Sequence, residues 1–253
     1  YTLRAEEGKK YPIKIEYMQA KGSADLNFSI AVRTPVDYQA TANEVKDADV
    51  IIFVGGISPR LEGEEMPVDA EGNHLKKFQK TGKPIVLIDR RIQELSCDSV
   101  LVDNEKAAED AMRVFFKAGH RKIGIIGGPE EISTAQERLQ GYRSAYEKEN
   151  LPVRESLIYH GDYTIQGGVR GIEKLVADNP DMTAVFVTNY EMTMGAVIGM
   201  NELDLKIPEQ LSMIGFDNLQ FARACSPKLT IVAQPTSGIA REVASIMLKR
   251  LGE

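Results

Sequence analysis

Seven residues stand where a sheet of parallel strands would put them to use. Asp89 and Arg90 follow the apolar run Pro84-Ile-Val-Leu-Ile. Asn189 lies just beyond Ala184-Val-Phe-Val187, Asp217 follows Leu211-Ser-Met-Ile-Gly-Phe216, and Gln234 ends Thr230-Ile-Val-Ala-Gln. Arg138 falls in the first turns of the helical stretch after Gly128, and Tyr163 comes shortly after Leu157-Ile-Tyr. In open α/β sheets ligands sit beyond the carboxyl ends of the strands. The set offers fork donors, carboxylates, amides and one ring. A sugar needs this mixture, because its hydroxyls both donate and accept and its apolar face stacks on a ring. The alternative for each position is plainer: Asp and Asn after a strand also cap helices and form turns.

The elements that would carry these residues can be read from the pattern. Buried strands are expected over 84–89, 99–102, 122–126, 184–187, 211–216 and 230–234, each a short apolar run. Helices are expected over 74–80, 104–118, from Thr134 to about 149, over 165–177, 192–203 and near the end of the chain. Gly119 is placed to stop the second of these. Thr134 and Glu137 fit a capping box, and Ile239, Val243, Ile246 and Met247 form an apolar stripe in the last helix. The alternation predicts an α/β fold with parallel sheets covered on both faces. The front reads differently. Tyr11–Tyr17 and Ala24–Val32 alternate around Lys21-Gly-Ser, which predicts an antiparallel hairpin. A short polar helix over 38–48 and a buried strand over 49–56 follow.

Composition narrows the function classes. The 253 residues are 43% hydrophobic and 27% charged, enough to bury a core. A net charge of −6 argues against a general nucleic-acid or anionic-membrane surface. No run approaches a membrane span, and the two cysteines, Cys97 and Cys225, match no metal or redox spacing. A reducing compartment is the simpler expectation. His74, His120 and His160 are isolated, so no metal and no cofactor are implied. Gly127-Gly-Pro-Glu-Glu after a strand fits neither phosphate-loop pattern, and its acids would repel phosphate. No serine or cysteine sits in a nucleophile elbow. The start, Tyr1-Thr-Leu-Arg, lacks the regions of a signal peptide, so the expectation is a processed chain or a piece of a longer one.

Residues 74–253 resemble the effector-binding domain of the LacI/GalR family of sugar-responsive repressors. The resemblance rests on Gly82-Lys-Pro-Ile-Val-Leu-Ile-Asp-Arg90, Val102-Asp-Asn104 and Ala118-Gly-His-Arg-Lys-Ile-Gly124. It continues through Glu137-Arg-Leu-Gln-Gly-Tyr142, Asn189-Tyr-Glu-Met192, Gly195-Ala196 and Ile214-Gly-Phe-Asp217. It implies a periplasmic-binding-protein-like fold of two α/β lobes around a ligand. Asp89 and Arg90 would face the cleft from the first lobe and Arg138, Tyr163, Asn189 and Asp217 from the second, with Gln234 near a crossover. Tyr190 departs from the family, which usually has Asp there. The resemblance implies a non-catalytic, cytoplasmic module that binds a sugar or sugar derivative, with a homodimer as the candidate assembly. The family's DNA-binding head would precede residue 1, so this chain by itself is expected to bind no operator and no membrane.

Residues 1–73 do not look like that family. They resemble a fragment of a family-three glycoside hydrolase. Leu3–Tyr17 is similar to the end of a β-domain, and Asp47–Met66 to a strand with an acidic loop. In that alternative Glu62 or Glu64 would be the acid/base. A glycosidase needs a second carboxylate nearby, and no barrel domain to supply one is found in the sequence. The expected division is a β-hairpin segment over 1–36, a reduced first lobe over 37–103, and a second lobe over 104–253 with the crossovers and last helix. The strand over 49–56 is expected to pair with that over 84–89. A non-functional fusion is the remaining alternative.

Overall fold

The structure is a computed structural model and describes residues 79–80, 82–89, 95–130, 132–217 and 219–252. The chain divides into two compact units, and all of these residues belong to the second, Tyr38–Glu253. The expected hairpin, the 38–48 helix, the 49–56 strand and its pairing, most of the 74–80 helix, Glu62, Glu64 and Arg90 lie outside the described residues.

The described strands form two parallel sheets. β1 (Val86–Ile88) pairs with β2 (Asp98–Val100). The larger sheet has the order β4-β3-β5-β6-β7, from β3 (Ile123–Gly127), β4 (Ile158–His160), β5 (Ala184–Val187), β6 (Ser212–Phe216) and β7 (Thr230–Val232). All its pairings are parallel, so every carboxyl end emerges on one edge. The expected α/β fold with parallel sheets is what the chain adopts.

Period-two alternation sorts the strand side chains onto two faces. Ile123, Ile125, Phe186, Ile214 and Phe216 meet α1 (Asn104–Lys117) and α2 (Ser133–Lys148) through Met112, Phe115, Phe116, Tyr142 and Tyr146. Ile126, Val185, Val187 and Met213 meet α3 (Ile165–Asp178) and α4 (Tyr190–Glu202) through Ile172, Leu175, Met192 and Met200. A fully buried side chain of this size contributes about 1.5–3 kcal/mol. Both faces are therefore covered, as continuous apolar strands require. A Cβ on Gly195 would overlap the Ile165 carbonyl oxygen, so α3 and α4 approach as closely as they do because that residue is glycine.

Several local details follow from sequence. Asp103 caps α1 by accepting from the Lys106 amide at 2.9 Å, and Gly119 takes φ 94° just past the helix. Tyr142 donates to the Ile123 carbonyl at 2.8 Å, which ties α2 to the start of β3. Two expectations need correction. The capping box at Thr134 and Glu137 does not form. The N-cap of α2 is Ile132, which places Thr134 inside the first turn, where it is buried, and frees Glu137 to reach another element. α4 begins at Tyr190, two residues earlier than expected, because Asn189 is its cap. Among the described residues three further elements occur that the pattern does not predict: the 3-10 turn Glu155–Leu157, β4 and the short α5 (Leu219–Ala224).

The last helix, α6 (Thr236–Leu251), packs on β1 and β2. Its expected stripe, Ile239, Val243, Ile246 and Met247, is half-buried. Arg250 grips Asp98 with two bonds, Nε to Oδ2 at 2.7 Å and Nη2 to Oδ1 at 3.0 Å.

Candidate functional site

The carboxyl edge of the large sheet gathers five of the seven predicted residues. Arg138 projects from α2 under the ends of β5 and β6. It is 5% exposed. Its Nε donates to Asn104 Oδ1 at 2.9 Å and its Nη1 to the Thr188 carbonyl at 2.7 Å. The guanidinium carbon lies 4.0 Å from the centre of the Phe216 ring, a cation–π contact. Among the described residues no carboxylate forms an ion pair with this arginine. A buried cation held only by neutral acceptors and a ring is costly to keep unless something else uses it.

Asp217 follows β6 and Gln234 follows β7, and the two side chains meet. Gln234 donates from Nε2 to Asp217 Oδ2 at 2.8 Å and from its amide to Oδ1 at 3.3 Å. Both are half-buried, so each keeps a face toward solvent. Asn189 is the helix cap that the plainer reading of such residues describes. Its Oδ1 accepts from the Met192 amide at 3.1 Å, and it is buried. Tyr163 is 2% exposed, its ring laid on the turn after β3. A Cβ on Gly128 would overlap that ring. Asp89 stands at the carboxyl end of β1, in the other sheet, and its amide donates to the Val100 carbonyl at 2.9 Å.

Three of the predicted residues share a backbone peculiarity. Asp89, Tyr163 and Asp217 take φ values of 62°, 57° and 56°. Aspartate tolerates this region, but a tyrosine there is an outlier. Such strain gathers at functional sites, where the surroundings fix it.

Residues 112–253 match the periplasmic binding protein-like domain family. The chain belongs to that family. It is 36% identical over 191 residues to the HTH-type transcriptional repressor CytR of Escherichia coli (strain K12), covering 76% of this chain and 55% of the relative. It is 32% identical over 209 residues to catabolite control protein A of Priestia megaterium, covering 82% and 59%. A solved LacI family transcriptional regulator from Enterococcus faecium, with bound ribose, superposes with TM-score 0.64 at 27% identity, covering 71% and 67%. The chain spans about half the length of the curated relatives it matches. Its relatives are transcriptional regulators of the LacI family, and the LacI-type resemblance of the motifs is borne out. The 209-residue match is longer than the stretch from 74 to 253, so the likeness to this periplasmic-binding-protein-like family reaches upstream of residue 74.

The sequence reading missed three participants. Thr188 acts through its carbonyl, which no side-chain pattern reveals. Phe216 is read as core and serves also as the floor under Arg138. Asn104 lies in the Val102-Asp-Asn104 motif and follows a strand by a few residues as the others do, which is the signal that marks it. Among the described residues no cluster of His, Cys, Asp or Glu could hold a metal ion. No described helix is long and apolar enough to cross a membrane.

Proposed function

We propose that this chain is the non-catalytic effector-binding module of a cytoplasmic LacI-type transcription regulator, and that it takes a sugar or sugar derivative at the carboxyl edge of its large sheet. The observation that carries the reading is Arg138, buried over Phe216 with no carboxylate among the described residues to balance it, on the same edge as the Asp217–Gln234 pair. Arg138, Asp217 and Gln234 would meet sugar oxygens directly. Asn189 and Tyr163 would shape the wall. Asp89 and Arg90 would close the site from the first lobe, taken as 37–103 against a second lobe beginning at 104. Residues 101–103, between β2 and α1, would then be one of the crossovers. Ligand would act by favouring a closed arrangement of the two lobes, a population shift passed to a partner copy in a homodimer.

A thermal-shift titration with pentoses, hexoses and their phosphates tests this. A ligand that binds only the folded chain stabilises it by about RT ln(1 + [L]/Kd). A concentration-dependent shift that disappears in Asp217→Ala is the expected result. A cooperative melt indifferent to every compound would refute the proposal.

A further inference from the structure

Arg138 is not free to present its whole guanidinium. Nε is taken by Asn104 Oδ1, and Nη1 carries the Thr188 carbonyl. Nη2 is the nitrogen left with no protein acceptor among the described residues. Asn104 cannot turn its amide, because Nδ2 donates to Glu137 Oε2 at 2.8 Å and faces the Val102 carbonyl at 3.4 Å. The oxygen must therefore face Arg138. Asn104 is 3% exposed, whereas Glu137 is on the surface.

This arrangement has a chemical consequence. A phosphate or carboxylate seeks two parallel N–H bonds from an arginine edge. The Nε–Nη2 edge is closed by Asn104. At the other end the oxyanion would lie beside the Thr188 carbonyl oxygen. A hydroxyl has no such conflict: it accepts from Nη2 and gives its own proton to the second lone pair of Thr188 O or Asn104 Oδ1. We propose that Asn104, locked by Glu137, is a specificity-determining residue that makes Arg138 select a neutral sugar hydroxyl and reject an oxyanion. The inference rests on the sugar-binding reading above and adds the class of group that the arginine accepts.

The test is a selectivity ratio. D-ribose, D-glucose and D-galactose are titrated calorimetrically against the parent chain, each beside its terminal phosphate ester. The expected parent prefers a free sugar over its phosphate by about tenfold or more, as a lost charge-assisted bond plus an unpaired group would give. Asn104→Ala opens the Nε edge, and the ratio should fall toward one or invert. Because Asn104 is buried and its loss could unfold the chain, Glu137→Ala is the second variant. It removes only a surface carboxylate, leaves Nδ2 held by the Val102 carbonyl alone, and by loosening Asn104 should lower the ratio part of the way. A parent that prefers the phosphate, or a ratio unmoved in both variants, overturns this inference and leaves the sugar site standing. Binding of no compound in the panel overturns the sugar site and the inference together.

Discussion

Replacing Arg138 by methionine should abolish ligand binding while changing stability little, and the two effects can be separated. The wild-type guanidinium makes two charge-assisted hydrogen bonds, worth about 1.5–3 kcal/mol each. Its contact with Phe216, desolvated and at 4.0 Å, adds about 2 kcal/mol. Against this stands the burial of a charge with no carboxylate partner among the described residues, which costs several kcal/mol. The gross gain of roughly 5–8 kcal/mol and the desolvation cost are of one size. Methionine reaches the same ring with an apolar chain and no charge, but leaves the Thr188 and Asn104 oxygens short of a donor. The net change should stay within about 2 kcal/mol of zero, or about 4–8 °C in Tm for a chain of this size. Urea denaturation followed by circular dichroism measures it, and calorimetric titration with the sugars measures binding. A loss above roughly 4 kcal/mol would make Arg138 a structural keystone and remove the argument that the fold tolerates it for a ligand.

Other outcomes follow from the packing. Gly195→Ala forces α3 and α4 apart at the Ile165 carbonyl and should cost about 1–3 kcal/mol, read as a lower denaturation midpoint with an unchanged slope. Tyr142→Phe removes the buried bond to the Ile123 carbonyl and should cost about 1 kcal/mol; unchanged stability would mean that Tyr146, which also donates to that carbonyl, holds it alone. Burial holds the His120 imidazole below its usual pKa of 6.5, so its neutral form belongs to the folded state. The stability this gives is present above pH 6.5 and is lost as pH falls through the lower folded value. Stability should therefore decline as pH falls from 6.5 to that lower value and level off below it, and His120→Gln should flatten that part of the profile. If the variant and the parent decline in parallel, other groups are responsible.

Much of the framework was legible because burial on both faces leaves a plain mark. Ala184–Val187 was placed to the residue, and α1 nearly so, since Asp103, Gly119 and the apolar spacing agree. β4 escaped because it is an edge strand, only half-buried, so its residues show no continuous apolar run. The box at Thr134 misled because sequence spacing cannot tell a cap from a carboxylate that reaches across to another helix, as Glu137 reaches Asn104. The site was half legible. Strand-end position singled out Asp217 and Gln234 without showing that they bond each other. Asn189 met the description of a site residue and of a cap equally well, and it is a cap. Arg138 lies in the early turns of its helix as expected, but its acceptors include a main-chain oxygen, which any residue type would supply.

The grip of Arg250 on Asp98 joins residues 152 positions apart. The five strands of the large sheet, by contrast, all fall between 123 and 232. During synthesis the large sheet can therefore close while its own segment is the newest part of the chain. β1 and β2 leave the ribosome long before it, while α6, the described helix that packs on both, comes last. Contacts this distant in sequence are slow to form and leave apolar surface exposed in the meantime. Of the two described sheets the smaller is the one more in need of protection from aggregation in the nascent chain, and a chain cut after residue 235 would keep the large sheet while leaving β1 and β2 without that helix.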